Sequence, residues 1–410
     1  MKKIGLSGWI VIALVTGIIA GFVFGEKISF IAPVGTVFLR LLKMTIYPLV
    51  FFSIAGGIAG IANLKRLKKV GLTFLGYWAV ASAIAATVGV AWSYIIKPGA
   101  GITMPAVEKT EISVDLLDSL IKWVPDNIGK AFADGNMLQI IVFSIFLGIS
   151  ISLINKTKAG KMLADFFKAG ADVMGRMIKI VLWVAPFGVF ALISNVTGTL
   201  GSIVLAGIGK MLIVQYIAYA TIIIIVYPII LRVFVHVKPL QHFKNIYPAM
   251  ALAFSTQSAS GTLPLTMEVT KERGGVPEDM VNLIAPPAAT INAHACAAEM
   301  AIYAIFASQI YGIPLGFVQL ITIIFLGVVM AAGVAGVPGG GIVMSAVLLQ
   351  IMGLPMDIVA WIAGIYILID MPNTMLNVTG DTVGMVYTAG RMDELDHDVY
   401  YSDNAVHAKE

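Results

Sequence analysis

The amino-acid sequence predicts an all-α polytopic membrane protein with eight transmembrane helices and two re-entrant helical hairpins. Of its 410 residues, 59% are hydrophobic and 12% are charged, whereas a soluble domain carries about twice that charged fraction. The mean hydropathy is +0.92, and repeated apolar runs of about 20 residues have the length that crosses a bilayer. Two later segments have shorter apolar arms around a polar or glycine-rich tip, which indicates hairpins.

Composition also excludes several classes of protein. The net charge of +4 does not indicate a nucleic-acid partner, because the basic residues cluster between apolar runs. The single cysteine, Cys296, excludes an internal disulfide and a cysteine-rich metal site. The first apolar run resembles a signal peptide but has no convincing cleavage site, so we interpret it as the first span.

The first six spans alternate with basic connections. We place these spans at 6–24, 34–62, 71–96, 137–153, 167–194 and 203–237. Lysine and arginine clusters precede the first span and follow the second, fourth and sixth, so all clusters lie on one side. The positive-inside rule makes that side the cytoplasm. We therefore expect a multi-pass cell-membrane protein with cytoplasmic N- and C-termini and an external acidic loop at 97–135.

The pattern changes after Lys244. Residues 245–267 and 316–351 form the two predicted hairpins, with a seventh span at 280–311 between them and an eighth span from Ile358. Irregular backbone at membrane depth is tolerated only where it lines a cavity, and paired interrupted segments indicate the binding site of a transporter. We expect the charged tail after residue 393 to be disordered.

Polar residues of the eighth span share one helix face. Asp370, Thr374, Asn377 and Asp381 are spaced by four, three and four residues, and Asn373 lies beside them. Carboxylates inside a membrane are costly and usually functional. The alternative interpretation is a structural polar stripe that joins helices.

A break in the seventh span completes a predicted cation site. Pro286 and Pro287 loosen the helix just before Asn292, and an unwound turn frees backbone carbonyls. Together with Asn292, Asn377 and Asp381, these carbonyls predict an oxygen cage for a hard monovalent cation.

His294 and Glu299 are the other ionisable groups of the seventh span, and we interpret both as candidates for proton coupling. The alternative for His294 is a hydrogen-bonded core residue. A transition-metal site is disfavoured, because this region has one histidine beside the only cysteine. The tip at 255–261 is suited to a carboxylate, although such tips are often only turns.

Several motifs together resemble one family. They are MTIYPLVFFS, APFGVFALIS, SASGTLPLTM, ATIN, GVAGVPGGG and NTMLNVTGD, in this order along nearly the whole chain. The chain is thereby identified as similar to the dicarboxylate/amino acid:cation symporters, the glutamate transporter homologues. The resemblance implies an elevator-type fold in which a transport domain moves against a trimeric scaffold, with the hairpins as gates.

The resemblance also implies domain boundaries. Scaffold segments are expected at 1–70 and 98–196, the latter including the external loop, and transport-domain segments at 71–97 and 197–392. Residues 393–410 form the tail. The expected partners are a small amino-acid substrate, the lipid bilayer and two further copies of the chain in a homotrimer.

Site roles follow from the resemblance, residue by residue. Asp370 matches the residue that holds the substrate amino group, with Thr374 and Asn377 as neighbouring contacts. Ser258, Ala259, Ser260 and Gly336 match the hairpin tips around the substrate carboxylate. Asn292, Asn377 and Asp381 match one sodium site. Thr290 with the backbone of Ala331, Ala332 and Val334 matches another.

The chain departs from the family pattern at a third sodium site. His294 stands where the family has an aspartate, and Trp78 and Ala81 replace oxygen-bearing residues, although Ser82 remains. These changes argue against sodium there and favour proton coupling. Glu299 lies one position before the place where some relatives carry a proton-binding glutamate.

The other departures lie in the substrate region. Asn373 stands where members with acidic substrates have an arginine, and asparagine cannot replace that bidentate partner. Gln257 and Tyr366 stand where some relatives have an arginine and an aspartate. These residues predict a neutral rather than an acidic amino acid, with Asn373 among the substrate-binding residues.

The sequence therefore predicts a symporter of a small, neutral amino acid, coupled to H+ and/or Na+ and using no other cofactor. Alternatives of the same fold are an organic-acid symporter, which the retained Asp370 disfavours, and an uncoupled exchanger or anion channel. An intramembrane enzyme is excluded, because Asp370 and Asp381 lie three helical turns apart, about 16 Å, too far to share a proton.

Overall fold

The computed structural model describes residues 6–59, 64–102, 104, 124–134, 137–200, 202–332, 340–356 and 358–402. Within these ranges the chain is helical and contains no strand. The helices are α1 (Leu6–Phe24), α2 (Ala32–Ala59), α3 (Leu64–Ile96), α4 (Ile128–Ala133), α5 (Met137–Leu153), α6 (Lys158–Leu200), α7 (Ser202–Thr221), α8 (Pro239–Thr256), α9 (Ala259–Glu272), α10 (Glu278–Ile291), α11 (His294–Tyr311), α12 (Phe317–Ala331), α13 (Gly340–Ile351), α14 (Ile358–Arg391) and α15 (His397–Tyr401).

Three helical stretches are long and apolar enough to cross a membrane, namely Val15–Phe38, Lys69–Ile96 and Ala206–Phe234. Shorter apolar helices include Phe317–Ala331 and Gly340–Ile351. The prediction of an all-helical protein with several apolar helices is confirmed. The number of spans and hairpins stays a prediction. Most of the acidic 97–135 loop lies outside the described residues.

The most extensive contacts between helices occur within two sets. In one set α6 packs along α1 and α2, and α2 also packs on α5; in the other, α3 packs along α11 and α12. Helix α14 contacts α8, α9, α10 and α11. Helices α3 and α11 can approach closely because small residues lie between them. A Cβ atom added at Gly89 of α3 would lie 2.4 Å from the Ala298 carbonyl oxygen of α11, which is too close for any side chain.

The first predicted hairpin is longer than the sequence indicated. Its arms, α8 and α9, extend to Pro239 and Glu272, because the helices continue through polar residues beyond the apolar arms. Gln257 turns the chain with a left-handed φ of 53°. Ser258 then caps α9 by accepting a 3.0 Å hydrogen bond from the Gly261 N–H. The tip of the second hairpin, 333–339, lies outside the described residues.

The prediction of a disordered tail after residue 393 is wrong for 396–401. Asp396 caps α15, and its N–H donates to the Gly275 carbonyl at 2.9 Å. Tyr400 is buried, and the Asn245 amide donates to its carbonyl at 2.9 Å. The buried Tyr400 side chain and these hydrogen bonds thus hold residues 396–401 against the start of α8 and against Gly275. Residues 403–410 are outside the described ranges.

Candidate functional site

Helix α14 carries the polar face expected from the sequence. Five of its side chains are only 2–8% exposed: Asp370, Asn373, Thr374, Asn377 and Asp381. Hydrogen bonds run along this face, from Thr374 Oγ1 to Asp370 Oδ1 at 3.4 Å and from Asn377 Nδ2 to Asn373 Oδ1 at 2.8 Å. The four-residue spacing thus brings these side chains into direct contact.

The break between α10 and α11 lies against the same face. Asn292 and Ala293 interrupt the two helices, and Asn292 Nδ2 donates to Asp381 Oδ1 at 2.7 Å. Three positions after Asn292, the Ala295 N–H donates to Asn377 Oδ1 at 2.9 Å. The structure therefore joins Asn292 directly to Asp381, whereas Asn377, one turn before Asp381 on α14, contacts the first turn of α11.

The donor set of this cage suits a hard cation. Asn292 Oδ1 is buried and has no partner among the described residues, and Asp381 adds a buried carboxylate. Amide and carboxylate oxygens are the ligands that hard cations prefer. The described ranges contain no cluster of three or more His, Cys, Asp and Glu side chains that would hold a metal.

The second predicted cation site is only partly described. Ala331 ends α12, Ala332 follows it, and Ala331 is buried. Thr290 lies in the last turn of α10, but its side chain is outside what the structure describes, as are Val334 and Gly336. At the first hairpin tip Ala259 is buried and Ser260 is exposed.

Glu299 is joined to the polar face by a contact that the sequence did not predict. Its carboxyl group is buried and accepts hydrogen bonds from Tyr303 Oη at 2.7 Å and from Asn373 Nδ2. Asn373 Nδ2 also donates to Tyr219 Oη at 3.4 Å. The Glu299–Tyr303 spacing of four residues was visible in the sequence, whereas the partners on α7 and α14 are distant in the chain.

His294 lies among tyrosines. Its Nδ1 atom is hydrogen-bonded to Tyr227 Oη at 2.9 Å, and its ring centroid is 5.5 Å from that of Tyr77. Both hydroxyls also reach α14: Tyr77 donates to the Gly380 carbonyl at 2.9 Å, and Tyr227 donates to the Leu376 carbonyl at 3.2 Å. Sequence reasoning missed both tyrosines, because neither belongs to a recognisable motif.

Three polar atoms near this position are buried without a partner in the described part of the chain: His294 Nε2, Ser82 Oγ and Trp78 Nε1. Ser82 and Trp78 belong to α3, which packs along α11. Unsatisfied buried polar atoms are unfavourable, so this region is suited to a water molecule, a proton or a cation.

Helix α13, an arm of the second predicted hairpin, lies against Tyr366 and Glu299. The Gly341 N–H, in the first turn of α13, donates to Tyr366 Oη at 3.0 Å. A Cβ atom at Gly341 would lie 2.7 Å from Glu299 Oε1. Helix α13 therefore approaches Tyr366 and Glu299 so closely at position 341 that only glycine fits there.

The site is acidic. Glu299, Asp370 and Asp381 are buried, and no lysine or arginine is among the buried residues of the described ranges. Buried carboxyl groups must be protonated, hydrogen-bonded or paired with a cation. This electrostatic arrangement suits the binding of cationic groups, protons and metal cations.

Comparison with known proteins agrees with this chemistry. The family model described as "Sodium:dicarboxylate symporter family" matches residues 6–390. The chain is 33% identical over 400 residues to a proton/sodium-glutamate symport protein of Geobacillus stearothermophilus, covering 94% of each chain. It is 28% identical over 395 residues to a proton/glutamate-aspartate symporter of Bacillus subtilis, again covering 94% of each.

A C4-dicarboxylate transport protein of Bacillus subtilis is 26% identical over 401 residues, covering 95% of this chain and 94% of the relative. The names of these relatives describe transport of glutamate, aspartate or C4-dicarboxylates; the first includes proton and sodium coupling, and the second includes proton coupling. The chain therefore belongs to the sodium:dicarboxylate symporter family and is a cation-coupled membrane symporter, not an enzyme.

Proposed function

We propose that this symporter carries a small amino acid with a neutral rather than an acidic side chain. The proposal rests on the hydrogen bonds of Asn373, which stands where acidic-substrate members have arginine. Both protons of its amide already have acceptors, Glu299 and Tyr219. No donor remains there for a side-chain carboxylate, and the adjacent Glu299 would repel one.

The two ends of the amino-acid backbone have complementary groups. Asp370 would bind the amino group, with Thr374 and Asn377 as neighbouring contacts. The substrate carboxylate would bind at the start of α9, where Ser258, Ala259 and Ser260 lie at a 14-residue helix N-terminus, and at Gly336 in the second hairpin.

The coupling ions in this proposal are Na+ and/or H+. Sodium would bind Asn292, Asn377 and Asp381, with a second site at Thr290 and the backbone of Ala331, Ala332 and Val334. A proton would be carried by Glu299 or His294. The unpartnered Asn292 Oδ1 supports the sodium site, and the burial of Glu299, with no lysine or arginine among the buried residues of the described ranges, supports the proton site.

The proposed mechanism is an elevator. The packing of α1, α2, α5 and α6 supports a scaffold, and the packing of α3 and α7 to α14 supports a transport domain that moves against it. The scaffold would form a homotrimer in the cell membrane, with both termini in the cytoplasm.

Two alternatives compete with this proposal. The names of the relatives favour an acidic substrate, but a dicarboxylate would meet Asp370 and Glu299 without an arginine partner. An uncoupled exchanger or anion channel would not need the Asn292–Asp381 contact.

Uptake into proteoliposomes tests the proposal. Radiolabelled alanine, glutamate and succinate are offered with sodium and proton gradients imposed separately. Accumulation of alanine driven by either gradient supports the proposal and identifies the coupling ion. Accumulation of glutamate or succinate without alanine would overturn it, and gradient-independent exchange would favour the uncoupled alternative.

A further inference from the structure

The polar groups between the helix break and Glu299 form one directed chain of hydrogen bonds. The Ala295 N–H donates to Asn377 Oδ1 at 2.9 Å, and Asn377 Nδ2 donates to Asn373 Oδ1 at 2.8 Å. Asn373 Nδ2 in turn donates to Glu299 Oε2. We refer to Ala295, Asn377, Asn373 and Glu299 as the relay.

The direction of the relay is set at both ends. A backbone N–H can only donate, so Asn377 must turn its oxygen toward Ala295 and its NH2 group toward Asn373. A carboxyl group retains an acceptor oxygen in either protonation state, so Glu299 can accept from the Asn373 NH2 group. Each asparagine amide is therefore held in one of its two orientations.

This orientation decides what position 373 offers to a ligand. Its two amide protons are directed to Glu299 and Tyr219. Its Oδ1 atom receives one hydrogen bond and has a second lone pair. Asn373 therefore has capacity left only as an acceptor, on the helix face it shares with Asp370 and Thr374.

We infer that the relay leaves Asn373 able only to accept a hydrogen bond from the substrate, and that the substrate has an uncharged side chain ending in a hydroxyl or a carboxamide. Glu299 is a positioning residue in this inference, because it acts through Asn373. The inference rests on the proposed amino-acid function and narrows its substrate class.

Isosteric pairs of amino acids test the inference on the unaltered protein. Threonine and valine differ by a hydroxyl in place of a methyl group, and asparagine and aspartate differ by an amide in place of a carboxylate. We expect threonine to bind about fivefold more tightly than valine, since one added hydrogen bond has about this effect. We expect asparagine to bind at least about tenfold more tightly than aspartate.

Glu299→Gln tests the role of the relay. The glutamine oxygen can still accept from the Asn373 NH2 group, whose direction the Ala295 N–H already fixes through Asn377, so the threonine-to-valine affinity ratio should stay unchanged. Loss of the carboxyl group removes the acidic neighbour of the substrate side chain, so the asparagine-to-aspartate ratio should fall toward one. Tyr303→Phe is the matched control, because it removes the other hydrogen bond to Glu299 and leaves the direction of the relay unchanged.

Two measurements give these affinities: competition against radiolabelled alanine uptake, and ligand-induced changes in melting temperature. If alanine is carried but threonine binds no better than valine, the inference is overturned and the proposed function stands. If the asparagine-to-aspartate ratio for Glu299→Gln equals that of the unaltered protein, or its threonine-to-valine ratio falls to one, the relay does not set specificity in the way inferred. If no neutral amino acid is bound or carried while aspartate is, both proposals fall. Should Glu299→Gln not fold, the pairs on the unaltered protein still decide the substrate class.

Discussion

At the Asn373 end of the α14 face both amide protons of Asn373 have acceptors within the protein, whereas near Asp381 two buried polar atoms have no partner in the described ranges. Asn373 uses both amide protons on Glu299 and Tyr219. By contrast, Asn292 Oδ1 and His294 Nε2 have no protein partner there. A closed network can be stable before a ligand arrives, whereas open polar atoms favour the arrival of an ion or water.

From this difference we propose that the two ends of the face have different functions. At the Asn373 end the orientation of the amide is fixed. Because no hydrogen-bond donor is free there, this end can discriminate against ligands that need one. The Asp381 end has unused acceptors and can gain binding energy from a cation. In the proposed function, one helix would hold a selective region and an ion-binding region only two to three turns apart, so that the two ligands could influence each other through the relay.

The largest effect should come from Asp370→Asn at the selective end. A neutral side chain cannot compensate the substrate ammonium in a buried site, so we expect apparent affinity for alanine to fall about 100-fold. Competition binding with alanine and with an analogue lacking the amine measures this change. The exposed Asp393→Asn is the control for the same chemical change. Unchanged affinity would exclude Asp370 as the ammonium partner.

Asp381→Asn should act on the other end. Loss of the buried carboxylate leaves Asn292 and Asn377 without a charged partner for sodium, so we expect the sodium dependence of uptake to shift about 30-fold to higher concentration. Selectivity between threonine and valine should remain unchanged. A variant that loses selectivity but keeps its sodium dependence would reverse our assignment of the two ends.

Gly341→Ala should reduce the uptake rate about tenfold, because overpacking costs about 1–3 kcal/mol. The new Cβ atom would lie 2.2 Å from Tyr366 Oη and 2.7 Å from Glu299 Oε1, so the arm of the second hairpin must shift. Gly209→Ala is the matched control, since nothing lies within 4 Å of its Cβ position.

Adding Tyr366→Phe to Gly341→Ala removes the nearest oxygen and should restore part of the rate. A rate for Gly341→Ala equal to that of the unaltered protein would show that the hairpin arm does not rest on Glu299 during transport.

The sequence predicted the parts of the site that depend on one element. The spacing of Asp370, Thr374 and Asn377 fixes a shared helix face, and Pro286 with Pro287 indicated the break before Asn292. Such features follow from helix geometry alone. The proximity of Asn292 and Asp381 was predicted from the helix break and the oxygen-bearing side chains, and the family resemblance implied the same site.

Contacts between distant elements could not be predicted in this way. Tyr227 meets His294 across 67 residues, and Tyr219 meets Asn373 across 154. A tyrosine on an apolar helix is more often a core residue than a partner of a polar site, so neither stands out in the sequence. The tail was mispredicted because most of its residues are charged or polar, which is typical of disordered segments. The one buried side chain of Tyr400, which helps to anchor it, does not stand out in the sequence.

The smallest effect should come from His294→Ala, which distinguishes the two ends as proton carriers. If His294 carries the coupling proton, the ratio of uptake at about pH 6 to that at about pH 8 should fall by a few fold toward one in this variant, because alanine cannot bind the proton. His242→Ala is the matched control, since His242 is also buried but contacts Thr382. If the ratio survives in His294→Ala and is lost in Glu299→Gln, the proton binds at the Asn373 end. In that case the proton would occupy the relay that selects the substrate, and proton coupling and specificity would share one carboxyl group. If both variants keep the ratio, neither end carries the proton, and the open acceptors near Asp381 serve sodium alone.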